Sequence, residues 1–220
     1  MKNTGDDKSS TTGVPGYTRA QEQALDGSRV RRRSGNDCEH TRRTDNGWDE
    51  VKYVCHYDSP LGWITLTGDG AALTGLWFDG QRHFPDALAV VHEGKPLAVF
   101  DEVRRWLDVY FSGRDPGFTP PLNLNRKATP FRKAVWEILL TIPFGKTMTY
   151  GEIARILAAR NGLKKMSAQA VGGAVGHNPV SLIVPCHRVV GAGGSLTGYG
   201  GGLERKRYLL ELEHTASRAE

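Results

Sequence analysis

Regularly spaced apolar residues begin only at Val51, and this limits what the chain can fold into more than any other feature of its 220 residues. The first fifty residues are rich in Ser, Thr, Gly, Asp and Arg. Such a segment cannot bury enough apolar surface to offset its ordering entropy, so residues 1–47 are predicted to be a disordered tail. It holds no apolar core of a secretory signal, and Asp6 and Asp7 argue against a transit peptide. The run RVRRR at Arg29–Arg33 reads as solvated tail, with a nucleic-acid or localisation patch as the alternative. The folded part must therefore lie beyond the tail. There, short β-rich runs come first and helical patterns later, an order that predicts an α+β protein.

Val51–Gly80 carries three β-rich runs, with turns at Asp58–Gly62 and Thr67–Gly70. In PLAVFDEVRRWLDVYFSG, Pro96 suits a helix start. Phe100, Val103, Leu107, Tyr110 and Phe111 recur at helical spacing, and Gly113 closes the segment. The Pro-rich connector RDPGFTPPLNLN separates a first unit, 48–119, from a second, 120–214. The second unit opens with Thr129 as cap and Pro130 in the first helical position, and Phe131, Val135, Ile138 and Leu139 form the buried stripe. TYGEIARILAA begins with a capping box, Thr149 with Glu152, and turns Ile153, Ile156 and Leu157 inward. A third helix, capped by Ser167 and ended by Asn178–Pro179, contains Gly172 and Gly173. Each glycine costs about 1 kcal/mol against Ala there, so close approach to the backbone is the expected return. The pair of capped helices reads as a helix-turn-helix.

Charge is distributed unevenly. Residues 120–220 hold 14 Lys and Arg against 6 Asp and Glu, whereas 51–119 hold 6 against 9. A basic second unit is the electrostatic signature of a polyanionic partner. No apolar run approaches the roughly 18 residues of a membrane span. Three cysteines, Cys38, Cys55 and Cys186, imply free thiols in a reducing compartment. The spacing of Cys38, His40, Cys55 and His56 fits no common zinc pattern, and no metal is expected. Cys55 reads as a small buried hydrophobe.

LIVPCHRVVG, Leu182–Gly191, poses the chemical question. Its apolar residues read as a buried strand, where a cysteine is ordinarily a small core residue. Three features favour a nucleophile instead. His187 and Arg188 are costly to bury without partners. Pro185 marks a strand end where a side chain can be presented. Downstream, GAGGSLTGYGGG has seven glycines in twelve residues, which suits a loop lining a cavity. An imidazole favours the thiolate form of a neighbouring cysteine. In an extended chain Cys186 and His187 point to opposite faces, so a proton would pass between them through a water or a bend. An acid must hold the imidazole, and Glu137, Glu152, Glu204, Glu211, Glu213 and Glu220 are the candidates.

NPVSLIVPCHRVVGAGGSLTGYGGGLERKRYLLELE closely resembles the active-site segment of the methylated-DNA–protein-cysteine methyltransferases, the O6-alkylguanine-DNA alkyltransferases. The resemblance runs from about Val51 to Glu213 and is most specific in Pro-Cys-His-Arg, the upstream Asn-Pro and the downstream Gly-Tyr-x-Gly-Gly. It implies a small ribonuclease H-like first domain and a winged helix-turn-helix second domain. It also implies that Cys186 takes the alkyl group from guanine O6 irreversibly, so that each molecule acts once. His187 would accept the thiol proton through a water, Glu213 would orient His187, Asn178 would brace the turn, and Tyr150 would donate toward the base. Carbonyls of Cys186 and Val189 would read the exocyclic amine, and Tyr199 and the Gly200 N–H would lie near O6. DNA contacts are implied for Gln169, Ala170, Gly172, Gly173 and Arg188. Two departures stand out: Gln169 occupies the place of an intercalating Arg, and Gly200 that of a small hydroxyl residue.

The resemblance implies double-stranded alkylated DNA as partner, no cofactor, and a cytoplasmic monomer. Base flipping requires room beside the nucleophile, which a Gly-rich loop provides. A binding module without chemistry would lack the reactive Cys186. A Cys–His hydrolase would leave the basic helix-turn-helix unexplained.

Overall fold

The computed structural model describes residues 38–40, 53–84, 97–124 and 128–216. All lie within the unit Asn36–Glu220. The RVRRR run, Pro96 and the remainder of the predicted tail lie outside the described residues.

Strands β1 (Cys38–His40), β2 (Tyr53–Ser59), β3 (Gly62–Gly68) and β4 (Leu73–Phe78) form an antiparallel sheet in chain order. Both predicted turns are present. Gly62 takes φ +93° and Gly70 φ +103°, conformations that glycine adopts without strain. The Asp69 carboxylate accepts the N–H groups of Ala71 and Ala72. Strand β1 corrects the expectation of an unstructured 1–47: Cys38 pairs opposite Cys55 and His40 opposite Tyr53. An edge strand needs only its neighbour's free backbone groups and no core of its own.

Helix α1 (Ala98–Phe111) lies against this sheet and buries Phe100, Val103, Leu107 and Tyr110, with Val99 and Trp106 beside them. Cys55 is fully buried in the same core, as expected of a small hydrophobe. The free edge of β4 is covered by two later segments. Leu73 exchanges hydrogen bonds with Pro121 and Asn123 of the connector, and Leu76 with Pro179 and Ser181. The second pair joins the sheet directly to the turn that leads into Cys186.

Helices α2 (Pro130–Leu139), α3 (Tyr150–Arg160) and α4 (Ala168–Gly176) start where their caps predict. Thr129 accepts from the Arg132 N–H, Thr149 and Glu152 form a capping box, and Ser167 accepts from the Ala170 N–H. Helices α3 and α4 with the turn between them form the helix-turn-helix. Residues of both sequence units, from Ile64 and Phe78 to Val135, Ile153 and Val184, share one hydrophobic core.

The expected buried strand around Cys186 is replaced by a 3-10 turn, Cys186–Arg188, and strand β6 is only Val189–Val190. Pro185 offers no N–H for a ladder, and the chain turns instead: Cys186 N–H bonds to Val184 O and Arg188 N–H to Pro185 O. Strand β6 pairs in parallel with β5 (Met148–Thr149), which sets the reactive turn beside the start of α3. A second 3-10 turn, Ala192–Gly194, leads through the Gly-rich loop to helix α5 (Leu203–Ala216). No described helix is long and apolar enough to cross a membrane.

Candidate active site

The turn from Asn178 to Cys186 is held by one side chain. Asn178 Nδ2 donates to Val184 O at 2.7 Å, Val180 O at 3.2 Å and Cys186 Sγ at 3.1 Å, while Oδ1 accepts the Val180 N–H at 3.0 Å. Within this turn Leu182 adopts φ +68° although it carries a β-carbon, and it is fully buried. Left-handed backbone at such a residue costs about 1–2 kcal/mol, which the Asn178 network offsets. Asn178 thus lies in the turn that the resemblance implies it would brace, and its side chain bonds there.

Cys186 is 6% exposed and His187 fully buried. The 3-10 turn, rather than an extended chain, sets their relative directions. His187 Nε2 lies 2.7 Å from Glu213 Oε1, so of the five candidate acids among the described residues the structure brings Glu213 to the imidazole; Glu220 lies outside the described residues. With its proton on Nε2 toward the carboxylate, the ring presents Nδ1 as the acceptor, and Nδ1 makes no hydrogen bond to the protein. Burial works against charge on Glu213, yet His187 and Arg188 together draw its carboxyl down to about 2. Burial also lowers the His187 pKa and outweighs the pull of Glu213. Burial raises the Cys186 thiol above its usual range, against the lowering effects of the Asn178 bond and the Lys206 charge. The resting set is therefore a neutral thiol, a neutral imidazole and an ionised carboxylate.

Arg188, expected on DNA, is instead internal and this assignment is corrected. Its guanidinium donates to Glu213 through Nε at 2.9 Å and Nη2 at 3.1 Å, and to Ile142 O through Nη1 at 2.7 Å, and it lies over the Phe144 ring. A buried guanidinium requires such a partner, and its fork matches a carboxylate. Two further donors on Glu213 were not anticipated from sequence: Tyr110 Oη at 2.8 Å and the Gly145 N–H at 3.0 Å. A third unanticipated group is Lys206. It is fully buried, and its ammonium donates to Val189 O at 2.5 Å and Thr197 O at 2.9 Å. Burial lowers its pKa to about 8. The available signal was the spacing of Lys206, Leu209 and Glu213, which puts two ionisable groups on the buried face of α5.

Cys186 opens into a cavity of about 520 Å³ that is also lined by Tyr150, Asn178, Tyr199 and Gly200, with Gln169, Gly172 and Gly173 of α4 on one side. The Tyr150 hydroxyl donates toward Thr197 O and Gly198 O at 3.3 and 3.4 Å, long bonds that tie α3 to the Gly-rich loop. Burial raises its pKa and that of Tyr199, so both phenols keep their protons. Val189 is not among the lining residues; its carbonyl serves Lys206, leaving one lone pair for the contact the resemblance implies. A β-carbon on Gly200 would meet neighbours only at 3.6 Å or more, so nothing inside the protein requires glycine there. The exposed face of α4 carries Gln169, Ala170, Gly173 and Gly176, and a β-carbon on Gly173 or Gly176 would touch nothing. Their smallness has no internal packing reason. Arg155, Lys164 and Lys165 line an open cleft of about 910 Å³ beside the turn that joins α3 to α4.

A sheet and helix, a helix-turn-helix, and after it a 3-10 turn and α5 that bury cysteine, histidine and carboxylate in one set define a helix-turn-helix protein with a built-in thiol nucleophile. Known proteins narrow that class. The model for the 6-O-methylguanine DNA methyltransferase ribonuclease-like domain matches residues 52–124, and the model for the DNA binding domain of the same methyltransferase matches 130–215. The methylated-DNA–protein-cysteine methyltransferase of Mycobacterium tuberculosis is 45% identical over 170 residues, 76% of this chain and 97% of that protein. Its Haemophilus influenzae counterpart is 40% identical over 161 residues, 73% of this chain and 86% of that protein. The crystal structure of M. tuberculosis OGT in complex with DNA superposes with TM-score 0.63 at 45% identity, covering 73% of this chain and 92% of that one. This chain belongs to the 6-O-methylguanine DNA methyltransferase family.

Proposed function

We propose that this protein repairs DNA by drawing an O6-alkylguanine out of the duplex and transferring the alkyl group irreversibly to Cys186. The observation that carries the mechanism is the Glu213–His187 bond at 2.7 Å, which leaves Nδ1, without a protein partner, as the base for the thiol of the neighbouring residue. The thiol proton passes through a water to Nδ1, and Glu213 stabilises the imidazolium that results. The thiolate attacks the alkyl carbon. The sulfur–carbon bond forms as the carbon–O6 bond breaks, and that electron pair leaves with the guanine. Tyr150 donates toward the ring as this negative charge builds, and the base takes up a proton to leave as guanine. The thioether is not reopened, so one molecule repairs one lesion and no cofactor takes part.

An alkyl group on O6 is unreachable inside stacked bases, so the nucleotide must rotate into the cavity. The small exposed face of α4 suits close approach to the duplex, where Gln169 would fill the gap, and the basic cleft beside α3 suits the phosphates. Tyr199 and the Gly200 N–H would flank O6. We divide the chain functionally at the connector into 48–119 and 120–214, and assign it to the cytoplasm as a monomer.

Incubation with a duplex containing O6-methylguanine, followed by peptide mass measurement, tests the proposal. One methyl in place of hydrogen adds about 14 Da to the Cys186 peptide. Cys186→Ser should bind the duplex without gaining that mass, since a hydroxyl is a far weaker nucleophile at neutral pH. An unmodified wild-type peptide, or transfer by Cys186→Ser, would overturn it.

A further inference from the structure

Three basic side chains from two separate segments line one side of the Cys186 cavity: Arg82 and His83 from the loop after β4, and His177 from the end of α4. Arg132 of α2 acts on His83 electrostatically. The His83 and His177 rings stack at 4.3 Å between centroids and 21° between planes. Both rings and Arg82 line the cavity, yet all three residues are exposed.

The loop that presents them is fixed in place. Buried Gln81 accepts the Ser181 hydroxyl at 3.1 Å and the Phe78 N–H at 3.2 Å, and the Arg82 N–H bonds to Gly200 O at 2.8 Å. It is therefore tied both to the turn before Cys186 and to the Gly-rich loop. His83 itself sits at φ +64°, a conformation that residues with a β-carbon adopt at a cost. The strained backbone carries the ring that stacks on His177, whose Nδ1 lies 2.7 Å from Gly173 O of α4.

Among the described residues, every charged or titratable group acting on His83 is basic. Burial lowers its pKa, and His177, Arg82 and Arg132 lower it further. A rim of this kind repels a cation and lacks only an anion. Its position beside the exposed face of α4 decides which anion is within reach.

We propose that Arg82, His83 and His177 form a phosphate-binding rim that grips the DNA backbone next to the flipped nucleotide. This rests on the reading that the cavity receives a base from DNA. The first sequence unit then takes part in holding DNA, through a loop outside the helix-turn-helix. A phosphate against the His83 ring favours its protonated form, so duplex binding tightens as the pH falls from 7.5 to 6.

The test uses the full chain and a fluorescent duplex titrated at several salt concentrations, at pH 6 and at pH 7.5. Each lost phosphate contact reduces the slope of log K against log salt by about 0.9. Arg82→Ala should weaken binding several-fold and reduce the slope by about one. His83→Asn keeps a residue tolerant of positive φ and should abolish most of the tightening at pH 6. In both variants transfer from duplex DNA should fall more than transfer from free O6-methylguanine. Wild-type slope and pH response in both variants would overturn the rim. A wild-type chain that gains no mass on Cys186, yet shows these shifts, would instead overturn the repair reading and leave the phosphate rim standing.

Discussion

Tyr110 of α1 donates its phenolic hydrogen to Glu213 of α5 at 2.8 Å, across 103 residues of sequence and inside the shared core. Its oxygen also lies 3.2 Å from His187 Nε2. The first sequence unit thereby supports the proton acceptor of the second. Tyr110→Phe should lower stability by about 1 kcal/mol and slow alkylation several-fold, with duplex affinity unchanged. Urea unfolding and single-turnover mass measurements read the two effects. An unaltered alkylation rate would show that Arg188 and Gly145 hold Glu213 well enough alone.

The low pKa of Glu213 sets the acid limit of stability. The folded value is about 2 against an ordinary 4.5, so the ionised carboxylate contributes fully above pH 4.5 and its contribution is lost as the pH falls toward 2. Glu213→Gln should be less stable at pH 7, because Arg188 stays buried without a charge partner, and its stability should fall less between pH 5 and 3. Chemical unfolding at each pH checks this. A parallel fall in both proteins would place the acid-sensitive group elsewhere.

Arg188 should behave as a core residue. Removing one partner of a buried ion pair costs roughly 3–5 kcal/mol. Arg188→Ala should therefore unfold at much lower denaturant or not accumulate. Arg188→Lys, which keeps a charge but loses the fork, should fold with reduced stability and bind duplex DNA with the wild-type salt slope. A reduced slope in the lysine variant would return Arg188 to the DNA surface.

Gln169 is exposed on α4 at the cavity edge. Gln169→Arg should tighten duplex binding and steepen its salt dependence, since a guanidinium adds charge and a stacking plane. Gln169→Ala should slow transfer from duplex DNA more than from the free alkylated base, which needs no flipping. Equal slowing on both substrates would assign Gln169 to chemistry or folding.

Local signals were legible in the sequence, and distant ones were not. Thr129, Thr149 with Glu152, and Ser167 cap helices through bonds three residues away, so spacing alone locates them. The apolar run before Cys186 misleads because a short buried strand and a buried turn share one pattern, and Pro185 decides between them only in context. Arg188 misleads because residue type suggests exposure, whereas its partner is 25 residues away. Tyr110 sits on an apolar stripe and reads as a hydrophobe; nothing near it announces an acceptor 103 residues on. Periodicity does not reveal helix α5, because Lys206 and Glu213 interrupt its buried face.

Asn178 gives the reaction a mechanical side. The same amide nitrogen that holds the carbonyls of Val180 and Val184 also donates to the sulfur that is consumed. Alkylation replaces the thiol hydrogen with carbon on the sulfur to which this amide donates. The step that spends the thiol therefore acts on a brace shared with the carbonyls of Val180 and Val184, in a turn already strained at Leu182.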